Sequence, residues 1–198
     1  MGNLFSCWSG DDKVTRPSDQ APQGLSVADV SYIKSTMNKL YKNGQLLDFG
    51  MKVFKDLFTT YPYTRDWFPA YHTSPNEMEQ DDNMIALVVI VMHTLRSYVD
   101  YCHEEETLEG LVEKMARFHL KRYVTTVDME IFSSCVIRQL KKLLGIEFNA
   151  KQEKAWTKFF ALHNKVYGRI ETEWLDPLSH LSVTDVTETE TEVNKKAQ

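Results

Sequence analysis

The sequence predicts an all-α fold, with a single helical domain between two polar tails. Apolar residues recur every three or four positions through most of the central segment, which is the period of an amphipathic helix. Asn-Gly and proline breaks separate these periodic stretches. With 42% hydrophobic and 12% aromatic residues, the 198-residue chain can fill one core. We expect a flexible arm over residues 1–24, a helical domain over 25–175 and a disordered acidic, Thr-rich tail over 176–198.

The first two helices are predicted on either side of an Asn-Gly break after residue 42. Ser26, with Asp29 three residues later, is typical of a helix start, because the two side chains can cap each other's backbone N–H groups. Pro62 ends the second helix, and the stretch from Trp67 to Asp82 contains two further prolines, which predicts an irregular connection. The two inner faces consist of Val30, Ile33, Met37 and Leu40, and of Leu46, Leu47, Gly50, Val53, Phe54, Leu57 and Phe58.

The segment from Met84 to Val99 is ambiguous by local propensity. Its run from Leu87 to Val91 is rich in β-branched residues and locally resembles a buried strand. The spacing of one helical face nevertheless continues over more turns than a strand would need, so we predict a helix. Three more helices are predicted from the stripes Leu108, Leu111, Met115 and His119; Ile131, Phe132, Cys135, Val136, Leu140 and Leu143; and Ala155, Trp156, Phe159, Phe160, His163, Val166, Tyr167 and Ile170.

Charge and cysteine content argue against several function classes. A net charge of −5 without a basic stripe argues against a nucleic-acid partner. Cys7, Cys102 and Cys135 are too widely spaced to signal a zinc site or a disulfide framework. The longest apolar run, eight residues from Ile85 to Met92, is too short to cross a bilayer, and we find no signal peptide. We therefore expect a protein on the cytosolic side of the membrane.

His119 is the candidate metal ligand, because it follows an apolar helical face that points it toward the core. Taken alone, such a residue is more often a hydrogen-bonded core histidine. In the element from Tyr61 to Phe68, however, a proline opens a short helix and a phenylalanine follows it six residues later. With these two features, the chain from Leu25 to Trp174 resembles a globin, closest in spacing to the neuroglobin and globin X branch.

The resemblance implies a globin fold of about seven to eight helices around a haem pocket, with His119 as the ligand of the haem iron. Counting thirty-two residues back from His119, the spacing of that branch, places Leu87 where the family usually has a histidine. Val91 follows one turn later, and Phe54 completes an apolar distal wall in which no hydrogen-bond donor is evident. The cofactor-binding residues implied are Phe54, Phe68, Leu87, Val91, Met115, His119 and Tyr123.

Two other histidines leave alternatives open. Placing His93 at the distal position shortens the spacing to 26 residues and puts Ser97 where an apolar residue belongs. His72, in the irregular connection, could reach a haem propionate or the iron. The cations beside the iron ligand, which could pair with propionates or form a solvated charged face, are Arg117, Lys121 and Arg122.

The function implied by the resemblance is binding of oxygen, carbon monoxide or nitric oxide, or redox signalling or gas sensing by the iron. The electron-transfer or signalling partner is left open. The alternative is a haem-free, globin-like signalling module that acts through partner surfaces. Because no distal acid or base is evident, we do not predict an enzyme.

The N-terminal residues match a lipidation pattern. Gly2 follows the initiator methionine and Ser6 stands at the position favoured for N-myristoylation. One myristoyl chain binds membranes only marginally, so stable attachment needs a second element, and palmitoylation of Cys7 would supply it. We expect tethering to the cytoplasmic face of the plasma membrane, and a cytoplasmic location if the chain is not acylated. The alternative is an incidental glycine and a free thiol in a flexible arm.

Overall fold

Six α-helices and three short 3₁₀ helices make up the part of the chain that the computed structural model describes, residues 24–68, 74–75 and 77–176. No strand occurs in these ranges, so the all-α prediction is confirmed. The predicted arm and almost all of the predicted tail lie outside the described residues. The α-helices are α1 (Val27–Lys42), α2 (Leu46–Thr60), α3 (Asp82–Asp100), α4 (Glu105–Leu120), α5 (Thr126–Leu144) and α6 (Ala150–Leu175). The 3₁₀ helices span Pro62–Trp67, Met78–Gln80 and Gly145–Glu147.

The start of α1 has the predicted capping box and also joins the two ends of the domain. The hydroxyl of Ser26 accepts from the backbone N–H of Asp29, and the Asp29 carboxylate accepts from the Ser26 backbone. Lys158 of α6 donates to the same carboxylate at 2.7 Å. Burial alone would raise the pKa of Asp29, but these donors outweigh it and lower the pKa to about 2. The pair therefore fixes α1 against α6.

The β-branched segment forms helix α3, as its longer periodicity predicted. Asp81 caps the helix by accepting from the N–H groups of Asn83 and Met84. Val88 and Met92 are fully buried and lie directly over Gly50 of α2, where a Cβ atom would stand 2.5 Å from both side chains. This close approach of α2 and α3 overrides the strand propensity of the β-branched run, because burying these side chains between helices outweighs a local preference.

Helix α6 runs through the centre of the domain and packs against α1, α4 and α5. Its inner face buries Trp156, Phe159 and Ile170 completely. The hydroxyl of Tyr167 donates to the carbonyl of Val124 at 2.7 Å, which fixes the connection between α4 and α5. Helix α4 rests on α6 and has few contacts with α3, so a crevice separates α3 from α4. Within the described ranges, no helix is both long and apolar enough to span a bilayer.

Candidate functional site

The crevice between α3 and α4 is the candidate site. It encloses a cavity of about 450 Å³, which falls in the range of small-molecule pockets. Apolar side chains form most of its inner surface, and three cations stand among its lining residues. The lining residues are Thr94, Ser97 and Tyr98 from the α3 side, and Leu111, Lys114, Met115, Arg117, Phe118 and Lys121 from the α4 side.

The α3 wall continues from the cavity toward the predicted distal residues. Leu87 and Val91 precede Thr94 and Tyr98 at helical spacing, so the four side chains lie on one face of α3. Leu87 and Val91 are both partly buried against the core. The next face of the helix, which carries Val88, is turned to α2 instead. The helical register thus directs Leu87 and Val91 to the crevice side; their contact with a cofactor stays a prediction.

A cluster of phenylalanine side chains lies between α2, the 3₁₀ helix that follows it and α5, and none of its rings is among the residues that line the cavity. The rings of Phe54 and Phe68 lie 5.8 Å apart in an edge-to-face arrangement, and Phe54 also lies 6.0 Å from Phe132 of α5. Phe58 packs on Phe68 at 5.6 Å. The structure therefore brings together Phe54 and Phe68, two residues that the sequence placed near a cofactor. Phe58 and Phe132, which extend the same cluster, were predicted only as core residues.

His119 lies on α4 one turn after Met115, which lines the cavity, but His119 itself is not among the lining residues. Its ring is largely buried, and burial lowers the pKa of the imidazole to about 4 despite the opposing effect of the Met115 carbonyl. The Nδ1 atom is buried and has no hydrogen bond of ordinary geometry. At neutral pH the residue is an uncharged imidazole with an unused lone pair, which is the form that binds a metal.

Tyr98 is a residue of the site that the sequence did not point to. It lines the cavity, and its hydroxyl is buried without a hydrogen-bond partner. Its ring lies 5.4 Å from the ring of His163. His163, which the sequence placed on the inner face of the last helix, pairs through Nδ1 with the amide oxygen of Asn164 at 2.9 Å. The helical spacing from Leu87 would have identified Tyr98, since it continues the same face.

Two further residues that the sequence singled out lie away from the crevice, and the position of a third is not described. His93 is exposed, and its ring stands 6.5 Å from Tyr41 of α1, so in this structure it does not face the crevice. Tyr123 is 89% exposed and does not line the cavity, so its predicted cofactor contact has no support in the geometry. His72 lies outside the described residues.

An all-helical domain with a crevice between two helices and a largely buried imidazole on one of them is typical of cofactor-binding helical proteins. The model of the globin family matches residues 51–166 of the chain. The chain therefore belongs to the globin family.

Relatives show the same family. Hemoglobin-3 of Phacoides pectinatus is 27% identical over 154 residues, which cover 77% of this chain and 98% of the relative. Human hemoglobin subunit zeta is 23% identical over 120 residues, covering 59% of this chain and 78% of the relative. An uncharacterized globin-like protein of Aquifex aeolicus is 24% identical over 138 residues, covering 69% and 86%.

Proposed function

We propose that this globin binds one haem in the crevice between α3 and α4, with His119 as the protein ligand of the iron. The observation that carries the proposal is the state of the His119 ring, which is largely buried and uncharged at neutral pH, so one ring nitrogen keeps a lone pair for a metal. The Met115 carbonyl would accept from Nδ1 and orient the ring, leaving Nε2 for the metal.

The remaining lining residues fit such a group. Apolar side chains at the cavity, among them Leu111 and Met115, suit the flat hydrocarbon ring of a porphyrin. Lys114 and Arg117 at the cavity would meet its carboxylates. Bound haem would supply an iron that binds diatomic gases or exchanges electrons. The protein side chains around it would determine which of these two reactions dominates.

The distal residues favour gas binding over acid–base catalysis. Within the described part of this wall, Phe54, Leu87 and Val91 offer bulk without a proton donor or acceptor. We infer a protein that binds oxygen, carbon monoxide or nitric oxide for sensing, scavenging or redox signalling. A haem-free module that acts only through its surface is the competing function, and the largely buried, uncharged His119 ring argues against it.

We further propose that the chain is an acylated globin of the neuroglobin and globin X branch, tethered to the cytoplasmic face of a membrane by Gly2 and Cys7. The support is the Met-Gly start with Ser6 and a nearby thiol. Two fatty acids would hold the protein stably, whereas one would not. A tethered globin suits local signalling better than bulk oxygen carriage.

A haem titration of the purified full-length chain tests the cofactor. We expect a Soret band that saturates at about one haem per chain and a shifted band with carbon monoxide. Absence of specific haem uptake would reject the haem protein and favour the haem-free module.

Cell fractionation tests the tether. Gly2→Ala should release the protein to the soluble fraction, because palmitoylation depends on a prior membrane encounter, while Cys7→Ser should leave only weak attachment. Retention of Gly2→Ala in the membrane fraction would place the anchor elsewhere.

A further inference from the structure

The corner between α4 and α5 presents aromatic and aliphatic side chains to solvent beside unpaired cations. Phe118, Tyr123 and Val127 are 51%, 89% and 62% exposed, respectively. Lys121 and Arg122 lie between them and form no ion pair with any described residue. We call Phe118, Lys121, Arg122, Tyr123 and Val127 the corner patch.

The charge of this corner departs from that of the whole chain. The chain carries a net charge of −5, yet residues 114–127 contain four cations and no acid. The nearest acids already have partners, so Arg117 is neutralised while Lys114, Lys121 and Arg122 form no ion pair with any described residue. Glu113 pairs with Arg117, Asp128 accepts from the backbone and hydroxyl of Thr125, and Glu171 accepts from Thr126.

The backbone at Tyr123 holds its side chain outward against a local preference. Its φ of +60° is a left-handed conformation that glycine or asparagine usually supplies. The next residue, Val124, is buried, and its carbonyl accepts from the Tyr167 hydroxyl. These two contacts fix the backbone immediately after the turn. A bulky ring that is exposed on a strained, fixed turn indicates that the ring has a role at the surface.

Arg122 shapes the other aromatic of the patch. Its guanidinium lies 3.9 Å above the Phe118 ring and donates to the Phe118 carbonyl at 3.0 Å. The cation and the ring therefore form one amphipathic unit, with an apolar face and a positive edge. Phe118 and Lys121 also line the cavity between α3 and α4, so the patch borders the mouth of the crevice.

We propose that the corner patch binds the surface of a membrane containing anionic phospholipids and so turns the crevice toward the lipid. Exposed aromatic rings prefer the headgroup level, and lysine and arginine are attracted to anionic headgroups. This inference rests on the proposed membrane tether, which would bring the domain to the bilayer. Each cation strengthens binding only about fivefold, so the patch orients a tethered domain rather than anchoring it alone.

The test uses the full-length chain without acylation and follows its co-sedimentation with vesicles. Vesicles of phosphatidylcholine alone serve as reference for vesicles that contain about one third phosphatidylserine. We expect the chain to sediment with the anionic vesicles and to dissociate as salt rises. Lys121→Gln with Arg122→Gln should reduce the partition coefficient about 25-fold, while Lys151→Gln with Lys154→Gln, an equal charge change on the exposed start of α6, should leave it unchanged.

Tyr123→Ser separates insertion of the ring from electrostatic attraction. We expect weaker binding to the anionic vesicles with an unchanged salt dependence, since no charge is altered. Equal loss in the α6 control would reduce the proposal to a net-charge effect and overturn it. The assignment to lipid would also be overturned if the chain did not bind anionic vesicles but bound an acidic protein through Lys121 and Arg122.

Different results would overturn the proposed patch and the proposed tether. If the acylated chain fractionates with membranes while the unacylated chain does not bind vesicles, the proposal for the corner patch is wrong and that for the tether stands. If the unacylated chain binds anionic vesicles and Gly2→Ala leaves cell fractionation unchanged, the tether is wrong and the patch stands.

Discussion

The two walls of the crevice differ in chemistry. The α4 wall carries His119, a buried imidazole whose Nδ1 lacks an ordinary hydrogen bond, beside apolar residues such as Met115. The opposite wall, formed by α3 and α2, is apolar at Leu87, Val91 and Phe54, whereas Thr94, Ser97 and Tyr98 bring hydroxyl groups to it further along α3. Polar atoms inside a protein are nearly always paired, so the informative features are the unpaired Nδ1 of His119 on one wall and the unpaired hydroxyl of Tyr98 on the other. The proposed site would hold a cofactor through the imidazole and leave the apolar part of the opposite wall to a ligand.

Removing the imidazole should have the largest effect on the site, because it takes away the proposed ligand of the haem iron. His119→Ala should lower haem affinity more than about 100-fold and remove the Soret band of the purified protein, since a buried metal bond is lost. His93→Ala, on the exposed face of α3, is the control and should keep the spectrum. An unchanged spectrum in His119→Ala would show that His119 is not the ligand of the haem iron.

Adding a donor to the apolar wall should have the next largest effect. Leu87→His should slow oxygen dissociation about tenfold to 100-fold, because a hydrogen bond to a partly charged ligand contributes about 1.5–3 kcal/mol, or should give a six-coordinate ferrous spectrum. Stopped-flow measurements with oxygen and carbon monoxide distinguish these outcomes. Val89→His, which lies on the exposed face of α3, is the matched control and should change neither rate.

The same experiment tests the alternative placement of the distal residue. A six-coordinate ferrous spectrum in the unchanged protein, lost in His93→Ala or His72→Ala, would contradict the placement of Leu87 opposite the iron.

Acid should destabilise the cofactor-free protein through the α4 wall. Burial lowers the pKa of His119 to about 4, below the value of 6.5 that the unfolded chain would have, so the unfolded state binds the extra proton first. The part of the free energy of unfolding that depends on uncharged His119 is fully present above pH 6.5 and is lost as the pH falls to about 4. Urea unfolding at these two pH values should show that His119→Gln abolishes a pH-dependent loss of about 2–3 kcal/mol.

The control for this measurement is His93→Gln, the same substitution at an exposed position. It should preserve the full acid sensitivity of the unchanged protein. Equal acid sensitivity in His119→Gln would mean that another group, and not the crevice imidazole, takes up the proton.

The apolar wall should also depend on how closely α3 lies against α2. In Gly50→Ala the new methyl would stand 2.5 Å from Val88 Cγ1 and Met92 Cγ, and a branched valine cannot move aside easily. We expect a loss of about 1–3 kcal/mol in the free energy of unfolding, together with altered ligand rates as Leu87 and Val91 shift. Gly110→Ala in α4, with nothing within 4 Å, should instead gain about 0.5–1 kcal/mol. Similar effects of the two substitutions would show that the α2–α3 contact is not tight.

Sequence periodicity predicted the helices well because each has an amphipathic face that the domain buries. It found α3 despite its β-branched run, and it put His119 on an inner face. It did not find the contact of Gly50 with Val88 or the unpaired hydroxyl of Tyr98. Those features depend on which helices meet and how closely, and a one-dimensional pattern holds no information on the distance between segments.

Tyr123 is a residue that the sequence placed at the cofactor and the structure does not. The resemblance predicted it at the cofactor, but the backbone after α4 turns through a left-handed residue and directs the ring to solvent. A positive φ at a tyrosine has no signature in the sequence, because tertiary contacts at Val124 impose it.

The smallest predicted effect concerns this end of the α4 wall. Tyr123→Gly should raise the free energy of unfolding by about 0.5–1 kcal/mol, because relief of the left-handed strain exceeds the entropy that glycine adds to the unfolded chain. The exposed ring takes little packing with it. Tyr101→Gly is the matched control, since Tyr101 ends α3 with an ordinary φ of −101° and is also exposed. There the substitution should lower stability by about 0.5–1 kcal/mol. Thermal unfolding of both variants decides the sign, and a loss of stability in Tyr123→Gly would mean that the ring supports the fold instead of serving the surface.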